Sequence, residues 1–457
     1  MTLTTAQLRD TYLQIVGELP HLDRAGRAAA AAYLTHSEAI YQGEVCDFLY
    51  VPKLYTATEV ARFEEIATTT YAILEKVIAA YLADPVYRKH FDFAPLLEEL
   101  ILLDPGYTCA LPIIRMDIFY DEDSGDFQFC EFNTDGSSAM NEDREISNAL
   151  ALTPSFKTFA HKHPLQPFEL FDSWVDSFLQ IYAETTDARD RPQIVIADFL
   201  DISTPIELAR FATHFAQRDL HCEVCDIRDL RFDGKALRSA SGMRVDAVYR
   251  RAVTGDIIKR HGQVGDFLAA YQAQAFTLIG SFRTQIPHSK ISFQVLHLPQ
   301  TLALLTAAQQ DFIRAHVPYT LRLNAQQADF ANILEDKDSW IIKPLDSYGS
   351  KGVWAGRELD QHSWEDVVRS AAASDDHIAQ HYVQQYSAPN LESGFSLPAH
   401  KKPVEQDKQP AVKYYRDLTG LFVYGGTFHG ILARAGQQDR ICAAASGKTL
   451  GTFRTAI

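Results

Sequence analysis

Arg115 and Asp117 stand two residues apart, as do Glu131 and Asn133, in two extended runs separated by the turn-forming segment Asp121-Glu-Asp-Ser-Gly125. Residues two apart on a strand share a face, and turn formers between two such runs predict a β-hairpin. Counting outward from Ser124, Asp117 and Glu131 each lie seven residues away and Arg115 and Asn133 nine, so a symmetric antiparallel register sets them opposite one another. One patch then holds a guanidinium, two carboxylates and an amide. Asp117, Glu131 and Asn133 offer the hard oxygen ligands that Mg²⁺ takes alongside water and phosphate oxygens. Arg115 is suited to stabilise negative charge on a transferring phosphoryl group or a tetrahedral intermediate. A solvated face with two surface ion pairs is the plain alternative. The flanking Ile113, Phe119, Phe127 and Phe129, read as lying on the same face, argue for enclosure.

Thr134-Asp-Gly-Ser-Ser-Ala139 follows at once, and Ser137 and Ser138 either bind a polar substrate or simply turn the chain into the next helix. Further on, Lys343 ends the apolar run Trp340-Ile-Ile-Lys-Pro344 and leads into a loop containing Gly349 and Gly352. A lysine delivered by a buried strand to a glycine loop meets phosphate as a point charge; a surface strand ending in Lys-Pro reads the same way. The P-loop pattern GxxxxGK[ST] is absent.

The elements that must position these groups are legible in outline. The first hundred residues read as helical, with capping boxes at Thr4/Gln7 and Thr56/Glu59, the second preceding Val60, Phe63, Ile66 and Ala67 at helical spacing. Ile194 to Ala197 reads as a buried parallel strand. A capping box at Thr204/Glu207 then opens a helix bearing Leu208, Phe211 and Phe215, and strands follow at 221–227 and 246–250. Strand, helix, strand predicts a small doubly wound α/β unit, which lacks the GxGxxG of a dinucleotide site. A third region begins near Ile291 and includes strands at 340–344 and 378–383. The four prolines between Ser387 and Pro410 predict a mobile loop. Strands at 421–424 and 431–434 close the chain. The fold class is α/β with mixed sheets.

At 457 residues the chain is long enough for two or three packed subdomains. Its net charge of −16 argues against a nonspecific nucleic-acid surface or an anionic membrane surface as partner. No apolar run reads as a signal or membrane span, so the cytoplasm is the expected location. Six cysteines are too few for a disulfide scaffold. Cys222 and Cys225 form an isolated CxxC after His221, better read as buried small apolar residues than as a zinc or redox site.

Together these motifs resemble the permuted ATP-grasp family that includes eukaryotic glutathione synthetase and bacterial glutathionylspermidine synthase. The shared features are Arg115-Met-Asp117 before Glu131-Phe-Asn133, the α/β unit, and the later lysine and arginine strands, in family order from about residue 110 to 440. The resemblance implies a circularly permuted ATP-grasp fold with an inserted doubly wound α/β substrate domain. The divisions would be 1–165 with the helical region and metal hairpin, 166–289 for substrate, 290–385 for nucleotide, and 386–457 with the mobile loop and catalytic strands. It implies ATP and Mg²⁺ as cofactors, with Lys290 and Lys343 as nucleotide lysines. Gly349 and Gly352 would lie in the loop over the phosphates, and Gln380, Tyr382 and Val383 at the hinge that meets adenine. Arg251, with Arg250 as the alternative, would bind substrate, and Arg434 would join Arg115 at the reaction centre. Where glutathione synthetase has a basic residue two positions beyond that arginine, this chain has Gly436. The activity implied is ATP-dependent joining of a small-molecule or peptide carboxylate to an amine through an acyl phosphate, in a possible homodimer. A ligase acting on a protein or carrier protein, and a non-catalytic ATP-binding regulatory protein, stand as alternatives.

Overall fold

A computed structural model describes residues 3–41, 43–326, 328–347, 349–406, 410–441 and 447–455. It is a mixed α/β protein built from several sheets. The N-terminal region supplies α1 (Thr5–Glu18), α2 (Pro20–Leu34) and α3 (Ala57–Ala83), with the short strand β1 (Lys53–Tyr55) before α3. The capping boxes at Thr4/Gln7 and Thr56/Glu59 both form. α3 is long and apolar enough to cross a membrane by length and composition, contrary to the sequence reading. Here its face carrying Phe63, Ile66, Leu74 and Val77 is buried in the main core.

The hairpin β2 (Ile113–Tyr120) and β3 (Phe127–Asn133) forms one edge of the largest sheet. The long strands β13 (Lys413–Tyr424) and β14 (Thr427–Gly436) continue it, followed by β15 (Lys448–Leu450). All neighbours are antiparallel, in the order β15-β14-β13-β2-β3, and β12 (Ser387–Asn390) pairs with the first half of β13. The back of this sheet, with Ile114, Met116, Ile118, Leu421, Val423 and Ile431, packs into the same core as α3.

After α4 (Met140–Ala151) and α5 (Asp172–Ala183) comes the expected α/β unit. It contains β4 (Ile194–Asp198), α6 (Pro205–Ala216), β5 (Cys222–Asp226), β6 (Ala247–Arg250) and β7 (Thr277–Ile279). The sheet is parallel, ordered β7-β6-β4-β5. Ile194, Ile196 and Tyr249 pack under Trp174 of α5 and Phe211 of α6, while Val195, Ala197 and Val248 face the main core. Such two-sided burial explains why these strands read as continuous apolar runs. Cys225 is buried in this sheet and Cys222 partly so, and among the described residues no group of three or more His, Cys, Asp or Glu side chains could hold a metal ion.

The predicted capping box at Thr204 does not form. Thr204 makes no side-chain cap, and Glu207 turns instead toward Arg251 and the start of α4. A third sheet, antiparallel in the order β8-β11-β9-β10, holds β8 (Thr320–Arg322), β9 (Trp340–Pro344), β10 (Trp354–Ala355) and β11 (His377–His381) around Trp340, Ile342 and Trp364.

The segment predicted as a mobile loop is largely built into the molecule. β12 lies within it, the Asn390 side chain bonds both the amide and carbonyl of Val51, and Arg27 donates to the Ser393 carbonyl. Prolines at an edge strand and between short strands carry no penalty, which is why their number misleads here. Residues 407–409 of that segment lie outside the described residues.

Candidate active site

The hairpin pairs Arg115 with Asn133 and Asp117 with Glu131, as the counting from Ser124 predicts. The reason differs from simple symmetry. Near the turn the register is one residue shorter, with Tyr120 opposite Phe127 and Ile118 opposite Phe129, and an irregularity between Asp117 and Ile118 leaves Cys130 as the extra residue. A bulge of this kind reverses which face the following side chains occupy. Phe127 and Phe129 therefore pair with residues of the opposite, buried face and join the main core, contrary to the expectation that they flank the polar patch. Phe119 does remain beside Glu131.

On the front face Arg115 grips Asp117 with both sides of its guanidinium, Nε to Oδ1 at 2.7 Å and Nη2 to Oδ2 at 3.0 Å, and its Nη1 donates to the Ser138 carbonyl at 2.9 Å. Asn133 Nδ2 spans Asp117 Oδ2 at 3.0 Å and Glu131 Oε1 at 3.1 Å. Burial pushes the Asp117 carboxyl up against the pull of Arg115, yet three N–H groups aimed at its oxygens suit the ionised form. Gly420 on β13 makes room for this arrangement. A methyl there would lie 2.8 Å from both Arg115 Cδ and Asp117 Oδ1.

Glu131, Lys290 and Lys343 face one cleft of about 730 Å³. Lys290 sits between two short helices, donates to the Ser347 carbonyl at 2.9 Å and stands 3.6 Å from Glu131. Lys343 donates to Gln380 Oε1 at 2.7 Å and to the Cys130 carbonyl, exposed by the bulge, at 3.2 Å. Gln380 in turn donates to Thr320 at 2.9 Å, so its side chain holds Lys343 in place. Burial pushes the Glu131 carboxyl up, but Lys290 and Lys343, helped by Asn133 and Arg115, outweigh it and hold it well below the usual carboxylate range.

Tyr382 and Val383 line the same cleft. The Tyr382 amide donates to the Ser339 carbonyl at 2.8 Å, so it is not open to a ligand. Gly349 and Gly352 have φ of +66° and +69°, and a methyl on Gly352 would lie 2.9 Å from Pro344, so the loop requires both as glycine. Arg434 lies opposite Leu418 in the sheet, bonds Glu142 Oε2 at 3.2 Å and lies within electrostatic reach of Asp117.

The remaining expected residues fall elsewhere. Ser137 donates to the Asn133 carbonyl and caps the turn after β3. Arg251 is buried against Glu207 at 2.9 Å, and Arg250 against Asp135; neither lines the cleft. Two participants escaped the sequence reading: Gly420 and Glu142. A glycine inside a strand signals close approach of another group, so only Gly420 left a trace. Glu142 looks like an ordinary acid in the first turn of a helix.

No protein-family profile matches the chain, and no curated protein sequence does. Among solved structures it is similar to a glutathione synthetase-like effector from Globodera pallida in its apo form. That likeness has a TM-score of 0.56 and 11% identity, and covers 99% of this chain and 98% of the other. The fold is of this glutathione synthetase-like kind. Weaker likenesses are to a putative gamma-glutamylcysteine synthetase from Methylobacillus flagellatus (TM-score 0.42, 9% identity, 84% of this chain and 87% of that one) and to a D-cycloserine synthetase (0.26, 14%, 57% and 91%).

The donor set fits a hard dication in part from the protein and in part from a ligand. Two carboxylates and an amide lie within one hydrogen bond of each other, and a half-turn of the Asn133 amide exchanges its N–H₂ for an oxygen. Water and phosphate oxygens commonly complete such a shell.

Proposed function

We propose that this protein is an ATP- and Mg²⁺-dependent ligase that joins a carboxylate to an amine, of the glutathionylspermidine synthase and glutathione synthetase kind. The observation that carries the reading is the convergence of Lys290, Lys343 and Glu131 on one cleft beside the Arg115–Asp117 pair. Four cations, Arg115, Lys290, Lys343 and Arg434, gather around three carboxylates, Asp117, Glu131 and Glu142, which leaves room for polyanionic phosphate. The likeness in fold to a glutathione synthetase-like effector agrees with this reading.

In it, Lys290 and Lys343 bind the phosphates, and the loop of Gly349 and Gly352 covers them. Asp117, Glu131 and Asn133 hold Mg²⁺, which when bound neutralises phosphate charge. Arg115, locked by Asp117, faces the charge that develops as the carboxylate attacks the γ-phosphate, and Arg434 lies at the acyl centre. Phosphoryl transfer of this kind needs in-line positioning and charge stabilisation more than covalent help from the protein. The cleft wall of Tyr382 and Val383 takes the base.

The test is an ADP-release screen with glutathione, amino acids, dipeptides and polyamines, singly and in pairs. Release that requires both an acid and an amine, and that is lost in Asp117→Ala and Glu131→Ala, is the expected result. Full activity in those variants overturns the metal assignment. ATP binding without turnover under any pair would favour a regulatory role.

A further inference from the structure

The two lysines of the cleft arrive from different parts of the molecule. Lys290 follows β7, the last strand of the α/β unit, by way of the short helix Gln285–His288, and Lys343 lies near the end of β9 in the third sheet. Both act on the Glu131 carboxylate, and two like charges in one cleft repel each other. The segment after Lys343 ties them together. The Lys290 amide donates to the Leu345 carbonyl at 2.9 Å, and its Nζ donates to the Ser347 carbonyl at 2.9 Å. These two bonds straddle Asp346, the residue that opens the glycine loop.

Asp346 turns its carboxylate to the α/β side. Gln285 Nε2 donates to Oδ2 at 3.2 Å, and His288 Nε2 stands 3.7 Å from Oδ1. Gln285 and His288 are buried, and among the described residues neither Gln285 Oε1 nor His288 Nδ1 has a hydrogen-bond partner. Asp346 is thus the partner that these two buried side chains share. The same carboxylate lies against Gly255, in the first turn of the short helix Thr254–Lys259, where a methyl would meet Oδ2 at 2.6 Å. Glycine weakens a helix, and here it leaves the room that Asp346 occupies. The anchor is itself held firmly: Arg250 of β6 bonds Asp135, the Thr284 hydroxyl at 2.9 Å and the Gly280 carbonyl, and His288 acts on Asp135 as well. Ser347 and Ser350 line the cleft, but Asp346 does not.

We infer that Asp346 is a positioning residue for phosphate: docked on Gln285, His288 and the backbone at Gly255, it fastens the start of the glycine loop to the α/β unit and so fixes Lys290 and Lys343 at the separation that a nucleotide's phosphates span. The inference rests on the ATP-dependent reading. Holding both ammonium groups in place before the nucleotide arrives removes the cost of ordering them on binding. Base and ribose gain nothing from it, so the effect falls on the phosphates. Both Asp346 oxygens are engaged on the α/β side, so the effect does not pass through a metal ion.

The experiment is ligand-observed NMR on the full chain with ADP and with adenosine, each titrated with and without Mg²⁺. Asp346→Ala is expected to weaken ADP about tenfold or more, by the same factor in both conditions, and adenosine less than about twofold. Asp346→Asn, whose amide oxygen still accepts from Gln285, is expected to recover most of that loss. Gly255→Ala, on a separate element, should weaken ADP several-fold and add nothing to Asp346→Ala, because its methyl then has no carboxylate to displace. Unchanged ADP binding in Asp346→Ala overturns the inference, as does equal weakening of adenosine, which would make the joint a part of the fold alone. A loss confined to samples with Mg²⁺ overturns it too, by making Asp346 a metal ligand. If the unsubstituted chain binds no ADP, the nucleotide reading falls, and this inference with it.

Discussion

The large antiparallel sheet carries two buried clusters of charge, one at each face, and they differ in a way that separates architecture from chemistry. Toward the back, Lys53 bonds both Glu122 and Asp417, and Arg9 bonds Glu122 at 2.9 Å and the Tyr386 hydroxyl at 3.2 Å. Two cations meet two carboxylates, and the adjoining cavity is only about 280 Å³. The set is saturated and ties α1 and β1 to the sheet. At the front, four cations surround three carboxylates, and the cluster opens on a cleft of about 730 Å³. Burial of charge alone does not mark function. Surplus charge beside empty volume does, because only there does a ligand complete the electrostatics.

Substitutions can break this contrast. The largest effect is expected from Lys343→Ala, which should lower ATP turnover per folded molecule by at least about 10³-fold, well beyond what any shift of the urea midpoint accounts for. If turnover survives, the surplus at the front is not for phosphate. Lys53→Met should do the reverse: it strands Glu122 and Asp417, costing about 3–5 kcal/mol of stability, with turnover per folded molecule kept. A catalytic loss without a stability loss would place the back cluster in the mechanism.

Gly420→Ala lies between the two. Its methyl displaces Arg115 and Asp117, so a fall in kcat of about 10–100-fold is expected, with nucleotide affinity from equilibrium binding largely retained. Equal losses in kcat and affinity would show that the front face tolerates no local shift at all.

The smallest effect sharpens the comparison with a third case, a half-buried carboxylate whose neighbouring cation only partly offsets the loss of water around it. Burial pushes Asp198 up to about 6 despite the nearby Arg251. The folded state then holds that proton more tightly than the unfolded chain, so stability falls as pH rises from about 4 to 6 and stays lower above. Asp198→Asn should flatten that slope and gain about 1–3 kcal/mol at pH 7.5, read from urea denaturation at pH 4.5 and 7.5. An unchanged slope would mean that Arg251 satisfies the carboxylate after all.

Much of the candidate site was legible because it depends on period and spacing. Arg115, Asp117, Glu131 and Asn133 share a face through the two-residue repeat of strands, and Lys343 reaches the cleft at the end of an apolar strand. Contacts between distant segments were not legible. Glu207 matches a helix cap three residues after Thr204, yet it bonds Arg251 and the amides of Ala139 and Asn141 at 3.1 and 3.2 Å, partners 44 to 68 residues away. Its local pattern was right for a cap, and the stronger partner won. The Ser387–Pro410 stretch failed for a related reason: proline count reports chain stiffness, not whether Val51 and Arg27 wait to receive the chain.

The hairpin divides the two kinds of information most sharply. Residue types and alternation by themselves determined that a guanidinium, two carboxylates and an amide face one way, since strand geometry allows side chains no other repeat. Only tertiary structure decided how the ladder absorbs one extra residue at Cys130. That bulge preserves the four polar partners, turns Phe127 and Phe129 into the core and presents a carbonyl to Lys343. A bulge is chosen by what packs on each side of the sheet, and neither α3 behind nor Lys343 in front lies near Cys130 in the chain.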